Sequence, residues 1–255
     1  AYCYNSLMNG LEEKYKTLLE EARENPDILG LIWGGSRGKS EKFVTKDSDY
    51  DVIVVISDNA SDTLKARLRN YESKGFEVWV RTMAEFKRYA GWGSKEEWDR
   101  YNFSHNTAVV DKIGEIQKII DEKGNLPENV RGEVIEESLD NYINLVYRSA
   151  KQLRDGDAFA SHIDATESLP PLMTALYALE GRLRPYNKYF EWELNNYPLR
   201  LLPWPVEEFV SDYKTILKTG NIKTQEKISI AVKKLFLEQG FSKSVNAWKG
   251  LYFVG

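Results

Sequence analysis

Hydrophobic positions change their period near the middle of the chain. In the first half, Met8, Leu11, Tyr15, Leu18 and Leu19 recur at steps of three and four, which predicts a helix over 6–24 ended by Asn25-Pro26-Asp27. Ile28 to Trp33 is an apolar run suited to a buried strand. After a polar loop, residues 49–56 (Asp-Tyr-Asp-Val-Ile-Val-Val-Ile) carry the strongest strand pattern in the chain. A helix is expected over 61–73, with Leu64 and Leu68 inward and Gly75 beyond its end. Residues 76–81 alternate, with Phe76, Val78 and Val80 on one face and Glu77, Trp79 and Arg81 on the other. Thr82 with Glu85 resembles a capping box opening a short helix over 83–89. Residues 91–105 are irregular and aromatic; 107–110 read as a fourth strand and 115–122 as a short helix.

Beyond about residue 128 strand patterns vanish and helical periods take over, at 129–154, 158–168, 171–181, 206–218 and 224–239. Pro170-Pro171 separates two of these helices. The expected organisation is an α/β (α+β) domain over 1–126 followed by an all-α helical-bundle domain over 127–255. The segment from Trp192 to Trp204, aromatic and broken by proline, is expected to pack the two halves together, and Trp248 to Phe253 to dock as an apolar tail.

Composition narrows the class. Apolar residues at 42% and charged residues at 29% suit a globular chain able to bury a core. The formal net charge of −4 argues against a nucleic-acid polymer as the main partner, because phosphate contacts draw on Lys and Arg. Cys3 is the single cysteine, so no intrachain disulfide or cysteine metal cluster can form, which suits a reducing cytoplasm. No apolar run reaches the roughly 18–20 residues a bilayer demands, and no membrane role or secretory leader is expected.

The chemistry-bearing pattern is Gly34-Gly35-Ser36, twelve residues, then Asp49-Tyr50-Asp51. Alternation along a strand turns Asp49 and Asp51 to one face, where two carboxylates repel unless a cation sits between them. Magnesium prefers carboxylate and phosphate oxygens. Two such ions, about 3.5–4 Å apart, can hold both oxygens of an in-line phosphoryl displacement. Glycines let the backbone approach a triphosphate, and backbone amides with the Ser36 hydroxyl can bind it. Arg37, Lys39, Lys42 and Lys46 lie in the same loop, either neutralising the phosphates or simply solvated.

Trp33-Gly34-Gly35-Ser36 and Asp49-Tyr50-Asp51-Val52 resemble the signature of the DNA polymerase β-type nucleotidyltransferase superfamily. The resemblance implies a mixed sheet with helices on one face and an open catalytic face. It implies a third carboxylate on a neighbouring strand, for which Glu77 is the candidate, as metal ligand or base. Asp49, Asp51 and Glu77 are thus the implied metal-binding and catalytic set, and Gly34, Gly35, Ser36 and Arg37 the nucleotide-binding set. In the helical half, Tyr147-Arg148-Ser149-Ala150-Lys151, Asp164-Ala165-Thr166-Glu167 and the run from Leu179 to Tyr189 resemble bacterial nucleotidyltransferases close to antibiotic-modifying enzymes of aminoglycoside or lincosamide type.

Asp164 and Glu167, three apart and on one face of a helix, are candidates to deprotonate an acceptor hydroxyl, against the plainer alternative of surface charge or a helix cap. Arg182, Arg184, Asn187 and Lys188 are candidate donors to nucleotide, Lys188 foremost. The expected activity is magnesium-dependent transfer of a nucleoside monophosphate from an NTP (ATP favoured, GTP open) to a hydroxyl of a small acceptor. The resemblance is compatible with a homodimer. Two other classes stay open. One is nucleotidylation of a protein or tRNA end, which the net acidity counts against. The other is a non-catalytic nucleotide-binding or antitoxin-like module, which the chain's own helical half and intact Asp49 and Asp51 count against.

Overall fold

The computed structural model describes the backbone of residues 2–247 and the side chains of residues 10–247. The apolar tail from Trp248 to Phe253 and the Cys3 thiol lie outside the described residues. The chain divides into two compact units, Ala1–Asn125 and Leu126–Gly255.

The first unit is built on strands β1 (Ile28–Trp33), β2 (Tyr50–Ile56), β3 (Phe76–Thr82) and β4 (Ala108–Asp111), in the order β3-β2-β1-β4. β1 pairs antiparallel with β2 and β4, while β2 and β3 are parallel. A parallel neighbour needs a crossover, supplied here by helix α2 (Asp62–Arg69), whose N-cap Ser61 accepts from the Leu64 amide. β2 is apolar almost throughout because both its faces are covered along most of its length. Val52, Val54 and Ile56 pack with Phe76 and Val78 against α2 and helix α1 (Tyr2–Glu24). Ile53 and Val55 face the other way, toward helices α3 (Met83–Arg88) and α4 (Ile116–Lys123) and the 3-10 helix Glu97–Phe103. The sheet is mixed, as the resemblance implied, but helices lie on both faces. On the second face Asp51 is half-buried and Glu77 and Trp79 are exposed. The capping box at Thr82 and Glu85 is formed in both directions. The irregular aromatic stretch contains the 3-10 helix, which buries Tyr101 and Phe103.

The second unit is all helical: α5 (Glu128–Arg154), α6 (Ala158–Glu167), α7 (Leu169–Leu179), α8 (Phe190–Asn196), α9 (Val206–Thr219), α10 (Ile222–Glu238) and α11 (Ser242–Ala247). α7 carries Pro170 and Pro171 in its first turn, where missing amides cost no helical hydrogen bond. It is apolar on nearly every side and runs through the core beside Leu139, Ile143 and Val146 of α5. A buried polar network ties α5 to its neighbours: Ser149 Oγ donates to the Ser161 carbonyl, Gln225 donates to Ser149 Oγ, and Tyr142 bonds Ser229. Leu194, Leu199 and Trp204 pack into this unit's core.

Candidate nucleotide and metal site

The glycine turn continues β1. The Gly34 amide donates to the Asp51 carbonyl at 2.7 Å, one step past the Trp33–Val52 pair, so turn and acidic strand are locked in register. Gly35 then takes φ +51°, the left-handed region that glycine enters without penalty. A Cβ on Gly34 would lie 3.1 Å from the Asp51 Cβ, and one on Gly35 would lie 2.1 Å from Asp51 Oδ2. The glycines therefore let the backbone close directly onto the Asp51 side chain. Gly38 is equally constrained, since a Cβ there would meet the Trp33 carbonyl at 2.7 Å and the Asn106 amide nitrogen at 2.8 Å. Asn106 in turn donates to the Trp33 carbonyl at 2.7 Å and holds the base of the turn.

On its other side, Asp51 stands directly opposite Glu77 across the parallel β2–β3 pair. Directly paired residues project to the same face, so both carboxylates stand on the open side of the sheet. Asp51 is half-buried and Glu77 exposed. Asp49 precedes β2, which begins at Tyr50. Its Oδ1 lies 3.5 Å from where a Gly75 Cβ would stand, while Asp51 packs on Gly35. Burial raises the Asp51 pKa, and the negative charges of Glu77 and then Asp49 raise it further, against a lowering by Arg37. Burial and like charge thus outweigh the positive charge of Arg37 at Asp51.

Among the described residues, no three His, Cys, Asp or Glu side chains converge closely enough to hold a metal ion by themselves. Magnesium takes one or two protein carboxylates and completes its shell with water and substrate phosphate. Asp51 with Glu77 beside it, and Asp49 close enough to perturb it, fits that requirement.

The basic residues of the loop divide. The Arg37 guanidinium stacks 3.7 Å over the Tyr50 ring, on the residue that points away from Asp51, and its Nε donates to the Asp49 carbonyl at 3.3 Å. Lys39 is neither a solvated charge nor a phosphate ligand by its position. It is buried, and its ammonium donates to the carbonyls of Tyr101, Asn102 and Ser104. It fastens the glycine turn to the end of the 3-10 helix. Lys42 and Lys46 are exposed. The same 3-10 helix brings Asp99, buried and accepting from Tyr89 and Asn102, within electrostatic reach of Asp51. Asp99 carried no sequence signal, because it sits in the stretch whose period matched no regular element.

Asp164, Glu167 and Lys188 belong to the second unit. Asp164 is buried and ion-paired to Arg148 at 3.0 Å, and burial raises its pKa more than Arg148 lowers it. Glu167, on the same helix, is exposed, and its charge adds to the rise in the Asp164 pKa. Lys188 is exposed, with its ammonium 5.5 Å from the Tyr189 ring centre. Arg182 is committed elsewhere, in an ion pair at 2.5 Å with the fully buried Glu193. His162 bonds the Leu217 carbonyl at 3.0 Å, a packing role.

No protein-family model matches the chain, and no curated protein matches it. Among solved structures it is similar to a nucleotidyltransferase-like protein from Exiguobacterium sibiricum, at 13% identity and a TM-score of 0.38 over 89% of this chain and 79% of that one. Strand register and turn geometry, not that likeness, carry the functional reading. No described helix is long and apolar enough to cross a membrane.

Proposed function

We propose that the protein is a magnesium-dependent nucleotidyltransferase, moving a nucleoside monophosphate from an NTP, ATP by preference, to a hydroxyl of a small acceptor. The observation that supports this most is the setting of Asp51: a glycine turn closes on one side of it and Glu77 stands in register on the other. A half-buried carboxylate beside two like charges favours a divalent cation. A left-handed glycine next to a serine gives amides and a hydroxyl to a triphosphate.

In this reading Asp49 and Asp51 hold the cation, which when bound screens the phosphate charge and polarises the α-phosphorus. Gly34, Gly35 and Ser36 bind the β- and γ-phosphates. The acceptor oxygen bonds to the α-phosphorus as the bond from that phosphorus to the bridging oxygen breaks. Pyrophosphate leaves with the electron pair, and Glu77, exposed beside Asp51, takes the hydroxyl proton. For the acceptor, the resemblance of the helical half supports an aminoglycoside- or lincosamide-like compound.

The test is pyrophosphate release with magnesium and each of ATP, GTP, CTP and UTP across a panel of hydroxylated antibiotics. Release is expected with at least one pair and is expected to vanish in Asp51→Asn. No thermal stabilisation by any NTP with magnesium would overturn the reading. Stabilisation without turnover on any acceptor would leave nucleotide binding and refute the acceptor class.

A further inference from the structure

The open sheet face carries one large aromatic that the transfer chemistry leaves unused. Trp79 sits on β3 two residues past Glu77, hence on the same face. Its register partner on β2 is Ile53. Yet an edge carbon of its indole lies 3.6 Å from where a Cβ on Gly34 would stand, and Gly34 extends β1. β2 runs between β3 and β1. To reach Gly34 the indole must cross β2, so it lies along the sheet surface beside Asp51 rather than standing away from it.

Trp79 remains 37% exposed. An indole buries more area than almost any other side chain when it packs in a core. This one lies over backbone and keeps part of its surface for solvent. Further along β3, Arg81 closes the row, its guanidinium 3.6 Å from the centre of the Tyr89 ring. The open face thus offers carboxylates at Asp51 and Glu77, then a flat aromatic surface, then a covered end.

We propose that Trp79 is the stacking platform for the planar base of the bound nucleotide. The proposal rests on the nucleotide-binding reading above and adds the part of the ligand that the carboxylates and glycine turn do not hold. Stacking on an indole tolerates any base, because every base has a π-face. Trp79 should therefore set how tightly nucleosides are held, with little choice among them.

The experiment compares the full-length protein with Trp79→Ala and Trp79→Phe, titrated with magnesium and each of ATP, GTP, CTP and UTP, and in parallel with magnesium and inorganic tripolyphosphate. Trp79→Ala should weaken nucleotide binding about tenfold or more, leave tripolyphosphate within about twofold, and keep the wild-type melting temperature. Trp79→Phe should recover most of the loss. Equal nucleotide affinity in wild type and Trp79→Ala would overturn this inference alone. So would a parallel loss of nucleotide and tripolyphosphate, which marks Trp79 as structural, or a loss confined to the acceptor's KM. A wild-type protein that binds tripolyphosphate but no nucleotide more tightly would also overturn it. Wild-type protein that binds no nucleotide and no tripolyphosphate would overturn the nucleotidyltransferase reading together with it.

Discussion

Gly35 and Asp51 are packed so closely that a Cβ on Gly35 would stand 2.1 Å from the Asp51 Oδ2. Because Gly35 also has φ +51°, a side chain there is excluded twice, by conformation and by contact.

Gly35→Ala should accordingly cost about 1–3 kcal/mol of folding stability, read by urea unfolding. It should also push the Asp51 carboxylate out of place and abolish the thermal shift given by magnesium with NTP. Retention of that shift would mean that the turn takes no part in binding.

Asp51 should make the protein more stable when its charge is removed. An acid whose pKa is raised on folding binds its proton more tightly in the folded state. Its contribution to stability is therefore present at low pH and is lost as pH rises through the folded-state pKa. Burial, Glu77 and Asp49 raise the Asp51 pKa in that order. Asp51→Asn should raise the melting temperature at neutral pH, with the gain shrinking as pH falls toward 4. Magnesium with NTP should stabilise wild type and not the variant. Calorimetric scans across pH, with and without ligand, check both.

Lys39 joins the glycine turn to the 3-10 helix through three carbonyls. Lys39→Met keeps the stem and removes the ammonium, so the Ser104 carbonyl loses its donor while those of Tyr101 and Asn102 keep one from the Ser104 amide and the Asn106 side chain. A loss of about 2–4 kcal/mol is expected, measured by denaturant unfolding. A neutral result would show that water replaces the ammonium.

Lys123 provides a second pH test. Burial, reinforced by Arg100, pushes its pKa down to about 8 from 10.5, while its ammonium donates to the carbonyls of Lys87 and Tyr89. A lysine whose pKa falls on folding sheds its proton earlier in the folded state. Stability should therefore rise with pH between about 8 and 10.5. Lys123→Met should flatten that rise, as followed by unfolding free energy at successive pH values.

Local pattern alone settled β1, whose apolar run from Ile28 to Trp33 coincides with the strand. It settled the alternation that puts Glu77 opposite in facing to Phe76 and Val78, and the capping box of Thr82 with Glu85. These features depend on neighbours within a few residues, so the sequence contains all of their causes. Contacts between distant residues decided the rest. Lys39 became a buried strut because carbonyls more than sixty residues away converge on it. Arg182 was claimed by Glu193, Arg37 by the Tyr50 ring, and Asp164 by Arg148. Asp49 lies one residue before the strand, which starts at Tyr50, so strand pairing does not fix its side chain as it fixes that of Asp51. Asp99 entered the electrostatic field of Asp51 only through the fold of an aperiodic stretch. A side chain's partner is set by which segments the chain brings together. Period and propensity show that a segment has an inner and an outer face, and packing determines what each face meets.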